Sequence, residues 1–379
     1  MQVLGEELKK PLGISKHAER FTCPLSFCIN PYGGCTNECP YCFAKFIQTK
    51  RKQWHIRPGN VAYVRQLFSE ALDGNHKSAI HKMIKRRTPI RMASITDPFM
   101  HAELDYRVTY QILQILAEYN YPVLINTKGS MMTDRRYMEL FEEMPVIIQF
   151  SFSTDEDFLA AKLEPGAPAP SERMKALKAC SEAGIITQMR FSPILPILSD
   201  EPERLLKWGS DSGAKDVIFE FLRMPVAEEP RQWVNDALGF DYLELLRESG
   251  FAMESKAYWW RAKKPFIYEE YARYQDLAGI YGLNSYVCSE GRPEMNKWGC
   301  CCGTDRYKGF ENPMRWATAM NGHKIGDQPI SFEDYIKGTE CPYENEFKRR
   351  WNSGALVNAI DGMYFEYFSK TYARMVGNG

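Results

Sequence analysis

A chain of 379 residues, 44% hydrophobic and 25% charged, is long enough for one large core, or for a core with a smaller appendage. Its first twenty residues have neither the apolar run of a signal peptide nor an arginine-rich transit pattern. No stretch approaches the roughly 20 apolar residues of a membrane span, so the expectation is a cytoplasmic protein with no membrane partner. Lys and Arg balance Asp and Glu at 48 each, and eleven cysteines in a chain of this size favour metal ligation or redox chemistry over a disulfide scaffold.

The first informative segment is Asn30-Pro31-Tyr32-Gly33-Gly34-Cys35-Thr36-Asn37-Glu38-Cys39-Pro40-Tyr41-Cys42, with the spacing CxxxCxxC. Three thiolates on a short loop ligate three corners of a [4Fe–4S] cubane, whereas a purely electron-transferring centre normally has four cysteine ligands, so one iron stays open. An open iron can chelate the amino and carboxylate groups of S-adenosylmethionine (SAM). A zinc knuckle would want a fourth ligand close by, and the first histidine after Cys42 is His55. Gly33 and Gly34 let the backbone approach a cluster, and Tyr41 is placed to cover it or to stack near adenine.

Between Lys45 and Arg91 twelve Lys or Arg face two acids, Glu70 and Asp73, a local charge of +10. Such a run is either a solvated helical face or a footprint for a polyanion such as nucleic acid.

The chain then alternates short β-branched runs with amphipathic stretches. Strands are predicted over residues 90–95, 122–126, 146–152, 185–191 and 216–222, and helices over 106–118, 134–143, 171–183 and 202–208. Strand-helix-strand order implies parallel pairing with the helices outside. With one more strand before Cys35, six βα units fit, which predicts an α/β fold: a partial (β/α)6 TIM-like barrel over residues 28–225. An N-terminal segment, residues 1–27, precedes it, and a cysteine-containing C-terminal extension, residues 226–379, follows. Several strands end in polar residues, among them Thr96-Asp97, Thr127-Lys128, Ser151 to Thr154 and Arg190, where a parallel barrel carries its site. Glu220 on the last strand is a further candidate inside the barrel, since a buried carboxylate needs a partner. Arg190 and Arg223 are the two at hand.

In the extension, Cys288, Cys300, Cys301, Cys302 and Cys341 supply enough thiolates for a second [4Fe–4S] cluster or a zinc ion, with Cys288, Cys300, Cys302 and Cys341 as ligands. Cys301, flanked on both sides, is then a bystander or a hydrogen donor in catalysis. The alternative is a set of buried small residues. The run Tyr258-Trp259-Trp260-Arg261 followed by Lys263-Lys264 combines aromatics with cations, as single-stranded nucleic-acid binders do.

The CxxxCxxC loop followed by βα units resembles the radical SAM superfamily. The fuller pattern, Asn30-Pro31-Tyr32-x-Gly34-Cys35, Thr96-Asp97-Pro98-Phe99, Asn126-Thr127-Lys128 and Leu163-Glu164-Pro165, resembles its branch of spore photoproduct lyase and DNA repair photolyase-like proteins. That resemblance implies a cluster on Cys35, Cys39 and Cys42 that cleaves SAM to a 5′-deoxyadenosyl radical, fed by an electron donor such as flavodoxin or ferredoxin. It implies that Thr96 and Asp97 bind the methionyl amino group, that Lys128 and Arg190 approach the carboxylate or ribose, and that Ser151 or Ser153 lines the pocket. It departs from those lyases in having Ser94 where they carry a hydrogen-donating cysteine and Phe43 where they carry a tyrosine. The expected substrate is a nucleic-acid base, through modification, rearrangement or repair; a peptide or protein substrate is the alternative, and a non-catalytic metal-binding adaptor a third.

Overall fold

The computed structural model describes residues 7–14, 25, 27–50, 54–74, 78–199, 201–251, 253–256, 259–262, 264–288, 296 and 301–311. Eight strands form the main sheet: β1 (Leu12–Ile14), β2 (Phe27–Ile29), β3 (Ile90–Met92), β4 (Val123–Thr127), β5 (Val146–Phe152), β6 (Ile186–Ile194), β7 (Asp216–Phe221) and β8 (Asn284–Val287), hydrogen-bonded in that order. β1 is antiparallel to β2, and the other seven strands are all parallel. The partial barrel expected from the sequence is therefore present, with a seventh parallel strand. β8 comes from beyond residue 225, so the sheet takes in part of the C-terminal extension.

Both faces of these strands are buried, which is why they read as continuous apolar runs. On the outer face Val123, Ile125, Ile148, Phe150, Phe152, Met189, Phe191, Val217 and Phe219 join one large core with the helices. Helix Val108–Glu118 buries Val108, Ile112, Leu113, Ile115 and Leu116 there, and helix Lys264–Ile280 adds Tyr271, Tyr274 and Ala278. Side chains of opposite parity point into the barrel. At its lower end Leu124 and Ile147 pack with Leu25, Cys302 and Phe310.

One step up the strands, Asn126, Gln149, Gln188 and Asp216 are register partners on four adjacent strands. Gln149 donates to Gln188 at 2.6 Å, and Gln188 donates to Asp216 at 2.8 Å and to the Cys302 carbonyl at 3.0 Å. Arg306 and Tyr307 close the same carboxylate from the other side. Residues 301–311 thus stopper the barrel from below, fastened by a buried carboxylate that receives donors from three side chains.

The remainder of the described extension covers the opposite, upper end. Helices Glu228–Leu238 and Tyr242–Glu248, with the sheet of Met224–Pro225, Trp259–Ala262 and Met253–Lys256, bring Met224, Val234, Leu238, Leu243 and Leu246 against Cys39, Tyr41 and Leu163. Among the described residues no helix is long and apolar enough to cross a membrane.

Candidate active site

The three-cysteine loop leaves β2 at Asn30, whose side-chain oxygen accepts from the backbone N–H of Ser94 (3.0 Å) and Ile95 (3.2 Å) and so ties the ends of β2 and β3 together. Gly34 has φ +69°, and a Cβ there would collide with the His55 carbonyl, so the tight entry into the loop demands glycine. Below the loop lies the Asp97 carboxylate. It accepts from Asn37 Nδ2 (3.2 Å), Phe99 N (2.9 Å), Thr127 Oγ1 (2.7 Å) and Lys128 N (2.6 Å). Asp97 therefore fastens the cysteine loop to the ends of β3 and β4. The neighbouring Thr96 hydroxyl donates to the Tyr32 carbonyl (3.1 Å).

A second knot holds the loop from the side. Glu164 accepts from the Tyr41 hydroxyl (2.5 Å) and pairs with Lys128 Nζ (3.0 Å) and with Arg173. The Ser153 hydroxyl faces the same carboxylate. Burial would raise the Glu164 carboxyl, but the cations Arg173 and Lys128 overcome it and hold the group down at about 2. Two residues on, Gly166 N donates to the Asn37 carbonyl (3.1 Å), and a Cβ on Gly166 would overlap the Thr36 carbonyl. The Glu164-Pro165-Gly166 turn and the cysteine loop are in direct backbone contact.

Cys35 and Cys39 are buried and Cys42 is half-buried. Burial, with the Asp97 carboxylate second, pushes the Cys35 thiol up to about 12. Burial, then Glu164, raises Cys39 against the pull of Lys128, and each of these two thiols also feels the charge of Cys42. Such sulfurs are neutral until a cation takes up the thiolate charge. A mononuclear ion needs three or more side chains converging on one point, and among the described residues no three His, Cys, Asp or Glu form such a group. A cubane takes one thiolate at each of separate iron corners, and a sheltered loop of three mutually sensing thiols fits that demand.

From Lys128 a polar chain runs along the upper ends of the strands. Lys128 Nζ donates to Ser151 Oγ (2.9 Å) and the Ser192 carbonyl (3.4 Å), and Ser192 Oγ donates to Glu220 (3.0 Å). Glu220 is bridged by Arg190 and by Arg223 (2.8 Å), and Arg190 also reaches Cys288 Sγ (3.0 Å). Burial would raise the Glu220 carboxyl, and the two guanidiniums hold it at about 2. The Cys288 thiol shares a hydrogen bond with Cys301, which pulls it down, and Cys301 also bonds to Cys302.

Residues 29–209 match the model of the radical SAM superfamily. The chain carries a radical SAM domain. An uncharacterized protein of Mycobacterium tuberculosis is 27% identical over 186 residues, 48% of this chain and 53% of the relative. The chain thus spans about half the length of that relative. Another, of Methanocaldococcus jannaschii, is 27% identical over 254 residues, 66% of this chain and 89% of the relative. A solved spore photoproduct lyase complexed with dinucleoside spore photoproduct superposes with a TM-score of 0.52 at 16% identity, covering 75% of this chain and 82% of that one. A variant of that lyase with bound SAM and the dinucleoside gives 0.53 at 16% identity over 74% and 80%. At that identity the likeness is one of fold.

The radical SAM domain gathers nearly all the residues singled out from the sequence at one end: Cys35, Cys39, Cys42, Tyr41, Thr96, Asp97, Lys128, Ser151, Ser153, Arg190 and Glu220, joined by Cys288 from the extension. Cys301 and Cys302 sit lower, in the stopper. Cys300 and Cys341 lie outside the described residues. Sequence reasoning missed three participants: Asn37, Arg173 and Ser192. Arg173 lies on helix Pro170–Glu182 within a polar stretch that reads as solvent-facing, and only the fold turns it inward.

The basic segment is distributed differently from its expected footprint. Lys85, Arg86 and Arg87 end a helix just before β3 starts, and Arg87 donates to the Tyr119 and Asn120 carbonyls ahead of β4, at the end of the sheet opposite the cysteine loop. Arg65 pairs with Glu118 (2.7 Å), and Lys45 pairs with Glu38 (2.8 Å) and lies over Trp233. Trp260 packs into the apolar cluster that contains Cys39 and Tyr41. Residues 51, 52, 258 and 263 lie outside the described residues.

Proposed function

We propose that this protein is a radical SAM enzyme that uses SAM to initiate radical chemistry on a nucleic-acid base. The observation that carries the reading is the three-thiol loop, fastened to the sheet by Asp97 and Glu164 on the rim where a parallel barrel places its chemistry. Cys35, Cys39 and Cys42 would hold a [4Fe–4S] cluster, which would supply the electron for reductive cleavage of SAM, drawn from a flavodoxin- or ferredoxin-class donor.

The chain's own residues position and shelter that chemistry. Asp97 spends its lone pairs on four donors, so its part is to hold Asn37 and the Lys128 backbone, while the Thr96 and Lys128 side chains would hold the methionyl end of SAM. Tyr41, hydrogen-bonded to Glu164, closes the loop from the side and excludes water. Ser151, Ser192, Arg190 and Glu220 line the adjoining rim. There Arg190 and Arg223 both bridge Glu220 and fix the carboxylate in place.

The choice of a base as substrate is supported by the shared fold with a lyase solved with a dinucleoside lesion, and not by Lys85 to Arg87, which face away from the site. A peptide substrate is the alternative. The test is anaerobic reconstitution followed by dithionite and SAM, with 5′-deoxyadenosine and methionine measured by chromatography. Wild type should form both and hold about four irons, and Cys35→Ser should form neither. Salt-dependent retention of single-stranded DNA or RNA by the same preparation supports a base; an active enzyme that binds neither at low salt has another substrate.

A further inference from the structure

The segment 96–103 carries two buried acids, and they grip the cysteine loop on either side of Cys35. Asp97 holds Asn37, two residues beyond that cysteine. Glu103, which has no exposed surface, accepts from the hydroxyl of Tyr32, three residues before it. The same carboxylate accepts from the Tyr137 hydroxyl (2.8 Å) and from the backbone N–H groups of Thr109 (2.9 Å) and Tyr110 (2.8 Å). Those N–H groups open helix Val108–Glu118, whose cap residue Arg107 offers no side-chain acceptor. Glu103 serves in its stead, and the Tyr32 hydroxyl takes the first N–H, that of Val108 (3.1 Å). Between the two acids the segment is pinned again: Thr109 Oγ1 donates to the Pro98 carbonyl (2.6 Å), Thr36 N to Met100 Sδ (3.2 Å), and His101 N to Thr36 Oγ1 (3.1 Å).

We propose that Glu103 is a positioning residue for the cluster: through the Tyr32 hydroxyl it fixes the entry of the loop, so that Cys35 stands in place before iron arrives. Three thiols must reach three corners together, and any freedom left in the loop is lost at that moment, so a loop ordered beforehand takes up the cluster at less cost. The two halves of the loop have separate supports. Glu164 acts through Tyr41 on the half that carries Cys39 and Cys42, and Glu103 acts through Tyr32 on the half that carries Cys35. Glu103 can do this because four donors leave its carboxylate no other orientation, and a donor deprived of it is stranded in the core. The inference rests on the reading of Cys35 as a cluster ligand.

The test uses the full chain, cluster-free and reconstituted, with Glu103→Gln, Tyr32→Phe and the double variant. Whichever way the glutamine amide turns, one hydroxyl and one backbone N–H meet an NH2 group. Tyr32→Phe removes the hydroxyl and leaves the acid in place. Alkylation of the folded, cluster-free protein with iodoacetamide, read by peptide mass spectrometry, should run at least about fivefold faster at Cys35 in each single variant. Cys39, held through Tyr41, and Cys180, sealed in the core, should keep their wild-type rates. The double variant should match the singles, since both act through one contact. After reconstitution with limiting ferrous iron and sulfide, bound iron should fall at least about twofold, and the electron paramagnetic resonance spectrum of the dithionite-reduced protein should change. Tyr307→Phe, at the opposite end of the barrel, should alter none of these. The proposal is overturned if Cys35 in either single variant reacts within about twofold of wild type, or if Cys35, Cys39 and Cys180 accelerate together, which is general loosening. Should Glu103→Gln fail to fold, Tyr32→Phe decides alone. A wild type that takes up no iron defeats the reading of Cys35 as a ligand instead, and the alkylation rates still decide whether Glu103 holds it.

Discussion

Glu164 and Arg173 form an ion pair in which neither side chain has any exposed surface. A buried pair is weak evidence for stability as a whole, because desolvation offsets attraction, but removing one partner strands the other charge. Glu164→Gln leaves both Arg173 and Lys128 without their counter-ion and gives Tyr41 a neutral amide oxygen in place of a carboxylate as its acceptor. The expected loss is about 3–5 kcal/mol in urea denaturation of the cluster-free protein. A loss under about 1 kcal/mol would mean that the hub is not what fixes the loop.

Gly166 touches the cysteine loop through backbone alone. Gly166→Ala places a methyl on the Thr36 carbonyl, so the loop must shift. Iron incorporation should fall severalfold while far-ultraviolet circular dichroism stays unchanged. Gly279→Ala is the control: it lies in helix Lys264–Ile280 with open space around the added carbon, and it should leave iron uptake alone and raise stability by up to about 1 kcal/mol. Equal iron in the two variants would show that the loop tolerates the displacement.

Glu220 predicts an acid limb in the stability profile. Its folded-state carboxyl is lowered from 4.5 to about 2, because Arg190 and Arg223 outweigh burial. A lowered carboxylate stabilises the fold fully above its unfolded value and loses that contribution as pH falls through the folded one. Stability should therefore decline between pH 4.5 and about 2, by an amount on the order of 3 kcal/mol at most. Glu220→Gln should flatten this limb, measured as urea midpoints across that range. An identical acid limb in the variant would assign it to other carboxylates.

The stopper makes its own prediction. Tyr307 donates to the buried Asp216 (2.5 Å), and Tyr307→Phe removes that donor with little change of shape. The expected cost is about 1–3 kcal/mol. Protease cleavage within residues 301–311 should become faster in proportion, and an unchanged cleavage rate would show that Arg306 and Gln188 suffice to hold the segment.

Much of the fold was readable because parallel strands covered on both sides leave a continuous apolar trace. Residues 146–152 were predicted as a strand and are one, and helix Val108–Glu118 differs from its expected span only at the start, where Arg107 adopts a left-handed conformation. β8 escaped, since Asn284-Ser285-Tyr286-Val287 is short and half polar and finds its place only by pairing with β7. The site was legible as a set of strand-end polar residues, but not their division of labour. Asp97 reads as a ligand group because an acid at a strand end is unpaired on paper, and the folded backbone then brings it four donors. A patch of charge in sequence, such as Lys85 to Arg87, likewise carries no information about which end of a barrel it will face.

Because Cys302, Tyr307 and Phe310 cork the lower end of the barrel, the interior is a blind-ended vessel. Among the described residues a ligand therefore has no route to Arg190 and Glu220 from below, and a change in the plug would be felt at the rim only through the strands that join the two ends.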